Sequence, residues 1–261
     1  MRVLTPGSLR STVSICDLRV GSDKRLNCRM AGRSSLVVSS SLALKGVLEK
    51  SKPAFEQSLG ARLDLRFDAT QAILAGLEAG LAADLLVLTA EAMEALRGSG
   101  KVAQVRALGS SGIGIAVRAG APKPDIGSVE ALKRALVSAS SVAHSKVGAS
   151  GIYFAELLER LGIAKRVNRI VVEKGPVGLV VAAGDAEIGV QQLCELAPVA
   201  GIEIVGPLPE PVQRLTHFAA GIPANAANPK GALALMGLLG SDAAREAMVE
   251  GGMLPATSAA P

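Results

Sequence analysis

Aromatic side chains are almost missing from this chain: no tryptophan, one tyrosine and four phenylalanines make up 2% of its 261 residues. That poverty argues against a site that stacks sugars or bases on rings. Histidine is as scarce, with two residues, and the three cysteines (Cys16, Cys28 and Cys194) form no CxxC pair. Without a Cys/His cluster at ligand spacing, neither a metal nor a cofactor is expected. A Cys16–Cys28 disulfide and free thiols both fit the spacing. No apolar run reaches the roughly 18 residues that would span a bilayer, so no transmembrane helix is expected. Catalytic signatures are missing too: no GxxxxGK[ST], HExxH, GxSxG or SxxK occurs, and Gly112-Ile113-Gly114 lacks the rest of a dinucleotide fingerprint.

What is present starts with 49% hydrophobic residues, enough to exclude disorder for most of the chain. The length allows one large domain or two lobes. The net charge of +5 would suggest an acidic partner if it were spread over the surface. It is not. Residues 1–33 hold seven basic side chains and two acidic ones, which is the whole excess, and the other 228 residues hold 21 of each sign. Residues 1–33 have no convincing periodicity and no apolar core of a secretory signal, because Ser and Asp break the stretch around Val13–Cys16. They read as a disordered basic tail, or as the product of a start codon placed upstream of the true one. A nucleic-acid arm is the sharper alternative, but seven scattered charges without aromatics are a weak footprint. No nucleic-acid partner is expected.

From Ser34 onward, short apolar runs alternate with helical patterns. Strands are expected at Leu36–Val38, Arg62–Phe67, Asp84–Thr89, Ile113–Val117, Ser141–His144, Ile170–Val172, Glu187–Gln192, Ile202–Val205 and His217–Ile222. Helices are expected at Leu42–Glu49, with a kink or restart at Pro53, then at Gln71–Ala79, Glu91–Leu96, Val129–Val137, Ile152–Leu161, Val177–Ala183, Asn228–Leu239 and Ser241–Val249. Alternation on this scale means an α/β fold with mainly parallel sheets covered on both faces, and the length suits two lobes better than one wide sheet.

Three strand-to-helix turns end in small hydroxyl residues: Ser39-Ser40-Ser41, Ala69-Thr70 and Ala149-Ser150-Gly151. The first N–H groups of a helix lack intrahelical partners, and the helix dipole is positive there. A small side chain lets an anion reach those groups, and a hydroxyl adds a neutral donor. Ordinary N-capping explains any one of these residues. The three together point to an anion only if the turns converge.

The same residues carry a family resemblance. Ser39-Ser40-Ser41-Leu42 ahead of a helix with Ala54-Phe55-Glu56 resembles the opening of the periplasmic molybdate-binding family. So do Ile73–Gly80 followed by Ala83–Val87, then Gly184–Val190, and finally Asn228-Pro229-Lys230 with Ser241–Ala244. Each motif is weak, but their order and spacing from residue 34 to about 254 are specific. The resemblance implies a type 2 periplasmic binding-protein fold in which two lobes, joined by two crossover strands, close on a small anion. It implies lobe one at 34–117 plus 218–261 and lobe two at 118–217. It also implies a periplasmic monomer that serves the membrane permease of an ABC transporter, although the missing secretory signal leaves a cytoplasmic location open. Position by position, the anion serine falls on Ser41 or its neighbours Ser39 and Ser40, and the second hydroxyl on Thr70. The backbone donors fall on Ala149 or Ser150 and on Val177. The family's binding tyrosine falls on Gln191, beside Gln192.

Gln191 in place of tyrosine changes reach and shape, and Lys146 brings a charge where molybdate is held by neutral donors. Both departures count against molybdate itself. Gly189-Val190-Gln191-Gln192 and Gly148–Phe154 resemble a divergent branch that includes proteins like aconitate isomerase, an enzyme on the same fold. A tricarboxylate calls for cations, and Lys45, Arg118, His144 and Lys146 lie near the site turns. His144 ends a strand before the Gly148–Gly151 turn and is the candidate proton carrier. The first expectation is therefore a non-enzymatic binding protein for a small oxyanion or carboxylate, and the second an isomerase of an unsaturated tricarboxylate.

Overall fold

The structure, a computed structural model, describes residues 35–257. The reading of residues 1–33 as a basic tail, including Cys16 and Cys28, lies outside the described residues. The first sheet holds six strands in the order β11-β4-β10-β3-β1-β2. These are β1 (Ser35–Ser41), β2 (Arg62–Asp68), β3 (Leu85–Thr89), β4 (Val102–Ser111), β10 (Thr216–Pro223) and β11 (Leu254–Pro255). The second sheet has the order β7-β6-β8-β5-β9. It contains β5 (Ile113–Arg118), β6 (Val142–Ser145), β7 (Arg169–Val172), β8 (Ile188–Gln192) and β9 (Ile202–Pro207).

Each sheet is mixed. β2-β1-β3 and β7-β6-β8 are parallel, as βαβ crossovers require. The remaining pairings are antiparallel: β10 with β3 and β4, and β11 with β4, in the first sheet, and β5 with β8 and β9 in the second. The parallel character read from the sequence is thus confined to those two triplets. The antiparallel strands flank the points where the chain changes sheets.

Helices cover both faces of each sheet. In the first lobe, α1 (Lys45–Leu59), α7 (Pro229–Leu238) and α8 (Asp242–Glu250) bury Leu48, Leu235 and Met248 against Leu36 and Val38. On the opposite face α2 (Thr70–Glu78) and α3 (Ala90–Gly98) bury Ile73 and Met93 against Leu86 and Leu88. In the second lobe α4 (Val129–Ser138) and α5 (Ala149–Arg160) bury Leu132, Phe154 and Leu158 against Ile115 and Val190. Behind that sheet α6 (Val177–Ala183) packs Val177 and Val181 on Ala143. Each fully buried Leu or Val contributes about 2 kcal/mol, so each lobe carries its own core.

The expected elements recur, and the main differences concern a proline, a strand and the points where the chain changes sheets. Pro53 sits inside α1, which runs unbroken to Leu59 and ends on Gly60 at φ 63°. The ten-residue β4 is a strand the sequence reading lacks. The sheet change falls at Gly112, so Ile113–Val117, read as lobe one, pairs in the second sheet. The chain returns through 208–215 between β9 and β10, and β10 starts at Thr216, two residues before the expected boundary.

Two side-chain amides, Gln213 half-buried and Gln192 buried, tie these crossings together. Gln213 accepts from the Ile113 N–H at 2.8 Å and donates to the Ile113 carbonyl at 2.9 Å, acting as a backbone partner across both crossings. Oriented so that both its ends are satisfied, Gln192 donates to the Ser111 and Gly112 carbonyls and accepts from the Thr216 hydroxyl.

Candidate functional site

Where the lobes meet, a cleft of about 320 Å³ is lined from both sides. Thr70 and Gln71 at the start of α2, and Thr89, Ala90 and Glu91 at the start of α3, come from the first lobe. Ala149, Ile152 and Tyr153 in the first turns of α5, with Val147 before it, come from the second. Arg214 to His217, on the return crossing and the beginning of β10, close the cleft.

The helix starts in this cleft differ in how they are finished. Remote helices are capped by side chains: Ser128 accepts from the Ala131 N–H, Asn228 from Gly231 and Ser241 from Ala244. α3 is capped by Thr89, with Glu91 in its first turn. α2 and α5 have no side-chain cap, because Ala69 and Gly148 occupy the cap positions. Thr70 and Ser150 sit inside their helices, so the capping explanation for these two residues fails. Two helix starts from opposite lobes thus turn uncapped N–H groups and positive dipole ends toward one space.

The start of α5 is set by a close approach. A Cβ on Gly151 would lie 1.8 Å from the Ser145 carbonyl oxygen, so only glycine lets the helix rest on the end of β6 there. The Gly148 N–H donates to the Ser145 hydroxyl at 2.9 Å, which fixes the turn.

Of the residues expected in the site, Thr70 and Ala149 line the same cleft. Ser150 is buried one residue further into α5. Ser39 is buried within β1, and Ser40 donates to the Ser41 carbonyl at 2.9 Å. Ser41 ends β1 with a buried hydroxyl that has no hydrogen-bond partner, an open donor in the first lobe.

Val177, Gln191 and Gln192 are committed elsewhere. The Val177 N–H donates to Gln191 Oε1 at 2.8 Å, and Gln191 Nε2 donates to Glu195. Burial pushes the Glu195 carboxyl up to about 7, against the opposing pull of that amide. Gln192 braces the crossings, so none of the three lines the cleft.

His144 is buried on the face of β6 that meets Phe154, with ring centroids 5.5 Å apart. Its Nδ1 donates to the Ser145 carbonyl at 3.1 Å, which leaves Nε2 as a buried acceptor without a partner. Burial holds its pKa below the usual histidine value. It does not line the cleft. The cations expected near the site are also turned to other uses. Lys146 pairs with Glu173 at 2.9 Å, and Lys45 lies 3.9 Å from Glu49 and over the Phe67 ring. Arg118 ends β5, beside Gly184. The acidic, basic and imidazole side chains that line the cleft are Glu91, Arg214 and His217. Neither Arg214, on the return crossing, nor Glu91, in the first turn of α3, carries a local sequence signal that would place it at this cleft.

The family model described as bacterial extracellular solute-binding protein matches residues 36–254. A Pseudomonas sp. protein named aconitate isomerase is 37% identical over 232 residues, covering 85% of this chain and 88% of its own. The periplasmic molybdate-binding protein of Azotobacter vinelandii superposes with a TM-score of 0.70 at 18% identity, over 85% of this chain and all of its own. The sulfate-binding protein SubI of Mycobacterium tuberculosis H37Rv does so with a TM-score of 0.68 at 17% identity, over 87% and 88%. At these identities the two solved structures establish the shared type 2 periplasmic binding-protein fold.

Proposed function

This chain belongs to the bacterial extracellular solute-binding protein family, and from that premise we propose that it captures a small carboxylate anion between its two lobes. The observation that carries this reading is the pair of uncapped helix starts, α2 and α5, which line one cleft from opposite lobes. Each start offers N–H donors and the positive end of a dipole, worth about 0.3–1 kcal/mol per charge at exposed sites and up to about 2 where partly buried. Both act on the same bound anion, so closure of the lobes and binding reinforce each other. A carboxylate is favoured over a bare inorganic oxyanion because Arg214 and His217 add cationic or titratable donors to a cleft that already holds neutral ones. In this reading the protein works in the periplasm as a monomer and delivers its ligand to the permease of an ABC transporter.

Titration calorimetry against trans-aconitate, citrate, succinate, acetate, molybdate and sulfate tests the proposal. Carboxylates are expected to bind, and more tightly than molybdate or sulfate. A protein that takes up no carboxylate overturns it.

A second reading is favoured by the 37%-identical relative and by the titratable side chains of the cleft: an isomerase of an unsaturated tricarboxylate. Such chemistry needs a group that takes a proton from carbon and one that returns it. Glu91 and His217 line the cleft and can serve, whereas His144 is buried behind α5. Proton NMR of trans-aconitate with catalytic amounts of protein distinguishes the two readings. Conversion that is lost in His217→Ala and retained in His144→Ala supports the enzyme, and an unchanged spectrum leaves a binding protein.

A further inference from the structure

We infer that Arg214 is the specificity-determining cation of the cleft and that it makes the ligand a polycarboxylate, with one carboxylate on its guanidinium and another on the helix starts of α2 and α5. This deepens the small-carboxylate reading and rests on it.

Three observations point this way. The first is size. A cleft of about 320 Å³ falls in the range of roughly 300–1,000 Å³ found for small-molecule pockets, larger than a single tetrahedral oxyanion requires. The second is charge. Arg214 is the one lysine or arginine among the described residues that line the cleft, and among the described residues no carboxylate lies within ion-pairing distance of it. Lys45 and Lys146, in contrast, already have acidic neighbours.

The third is rigidity. The only tyrosine of the chain, Tyr153, is buried with its hydroxyl donating to the Val212 carbonyl at 2.9 Å. The Arg214 guanidinium carbon lies 5.4 Å from the centre of that ring, and the Arg160 guanidinium carbon lies 5.0 Å from it. A ring so placed attracts a guanidinium while leaving its fork of N–H donors for a carboxylate. The Arg214 N–H donates to Gln213 Oε1 at 2.9 Å, and Gln213 clasps Ile113 across the crossings. The Arg214 backbone is therefore fixed, and its exposed guanidinium lies beside the ring with its N–H donors open. Tyr153 is a positioning residue in this scheme, since it acts through Arg214. In a chain with so few aromatics, its one tyrosine orients a cation instead of stacking a ligand.

The test is calorimetric affinity for trans-aconitate in the full chain and its variants, with the thermal midpoint as a check on folding. Arg214→Gln is expected to weaken binding by about 50-fold, within the range of a lost charge-assisted pair. Arg214→Lys keeps the charge but loses the fork, and about 10-fold weakening is expected. Tyr153→Leu is expected to cost about 5-fold by itself and nothing further in an Arg214→Gln background, a coupling that a purely structural role would not produce. Arg118→Gln removes the same net charge outside the cleft and should stay within about twofold of the parent. Parent-like binding by Arg214→Gln, or an equal loss in Arg118→Gln, overturns the inference and leaves the carboxylate reading standing. A parent protein that does not bind trans-aconitate or any other carboxylate overturns both.

Discussion

The second lobe begins two helices beside the crossings and finishes them in opposite ways. At α6, Gln191 fills the helix start from within: its carbonyl accepts the Val177 N–H and its amide reaches Glu195. At α5, glycine takes the cap position, no side chain closes the first turn, and Ala149 faces the cleft. The electrostatics of the two starts are alike, since every helix start has unpartnered N–H groups and a positive end. The difference lies in what the chain supplies. A polar side chain at one start takes up the Val177 N–H internally, and small residues at the other leave its donors open toward the cleft. In the proposed function the withheld cap and the Arg214 charge act on the anion together.

The largest effect comes from altering how α5 meets the sheet. Gly151→Ala puts a methyl group where the Ser145 carbonyl already stands, so the helix start must move. Overpacking of this kind costs about 3 kcal/mol, a fall of about 6–12 °C in thermal midpoint, with loss of binding by whatever protein still folds. A calorimetric midpoint within a degree of the parent would show that the close approach does not hold the turn. Next is Ala149→Glu, which gives α5 the negative charge it lacks. An acidic residue in the first turn stabilises the helix by about 0.3–1 kcal/mol, so the midpoint should hold or rise. Affinity for trans-aconitate should fall by about 30-fold through like-charge repulsion. Stability and binding moving in opposite directions is the signature of a site built on an uncapped start, and a joint fall would argue against it.

The opposite manoeuvre is to unplug α6. Gln191→Ala leaves the buried Val177 N–H without a partner and Glu195 without its donor. An orphaned buried donor costs about 1–3 kcal/mol, or a midpoint lower by a few degrees. Ligand affinity should change by no more than about twofold, because Gln191 does not line the cleft. A much larger loss of affinity would put α6 back into the site.

These contrasts also explain how far the sequence could be read. Turns such as Asp68-Ala69-Thr70 and Gly148–Gly151 announce themselves because cap chemistry is local, and Thr70 and Ala149 of those turns line one cleft. β1, β3 and β8 are buried apolar runs, legible without context. β4 is not: Ala103, Gln104 and Arg106 are exposed, and its apolar residues Val102, Val105 and Leu108 recur every three positions, a spacing that does not alternate as a strand should. It is held as a strand by β10, with a register shift at Phe218/Ala219 that no local pattern encodes. Arg214 was missed for the same reason, since only the path of the chain brings residue 214 to residues 70 and 149. His144 is the converse case: it is buried and does not line the cleft. Its position at the end of a strand was read correctly, but which face it takes is decided by the packing of Phe154.

The smallest expected effect tests the filled start from its far end. Glu195 is pushed up to about 7 by burial, while the Gln191 amide favours its ionised form. In the unfolded chain the same carboxyl titrates near its ordinary value of 4.5. Between about pH 4.5 and 7 the folded protein thus keeps a proton that the unfolded chain has released. Its contribution to stability is fullest below that window, falls as pH rises through it, and is constant above it. Glu195→Gln preserves the shape and the acceptor for Gln191 but cannot ionise. Lys45 and Glu49, which line the same recess, remain in both proteins and cancel in the comparison. At pH 5 the variant and parent should melt within a degree of each other. By pH 8 the variant should melt about 2–4 °C higher, equivalent to about 1 kcal/mol, with the gap opening between pH 5 and 7. Scanning calorimetry at unit steps of pH measures it directly. Parallel melting curves across the range would mean that Glu195 ionises freely in the folded protein, so that Gln191 alone, without a protonated neighbour behind it, closes the start of α6.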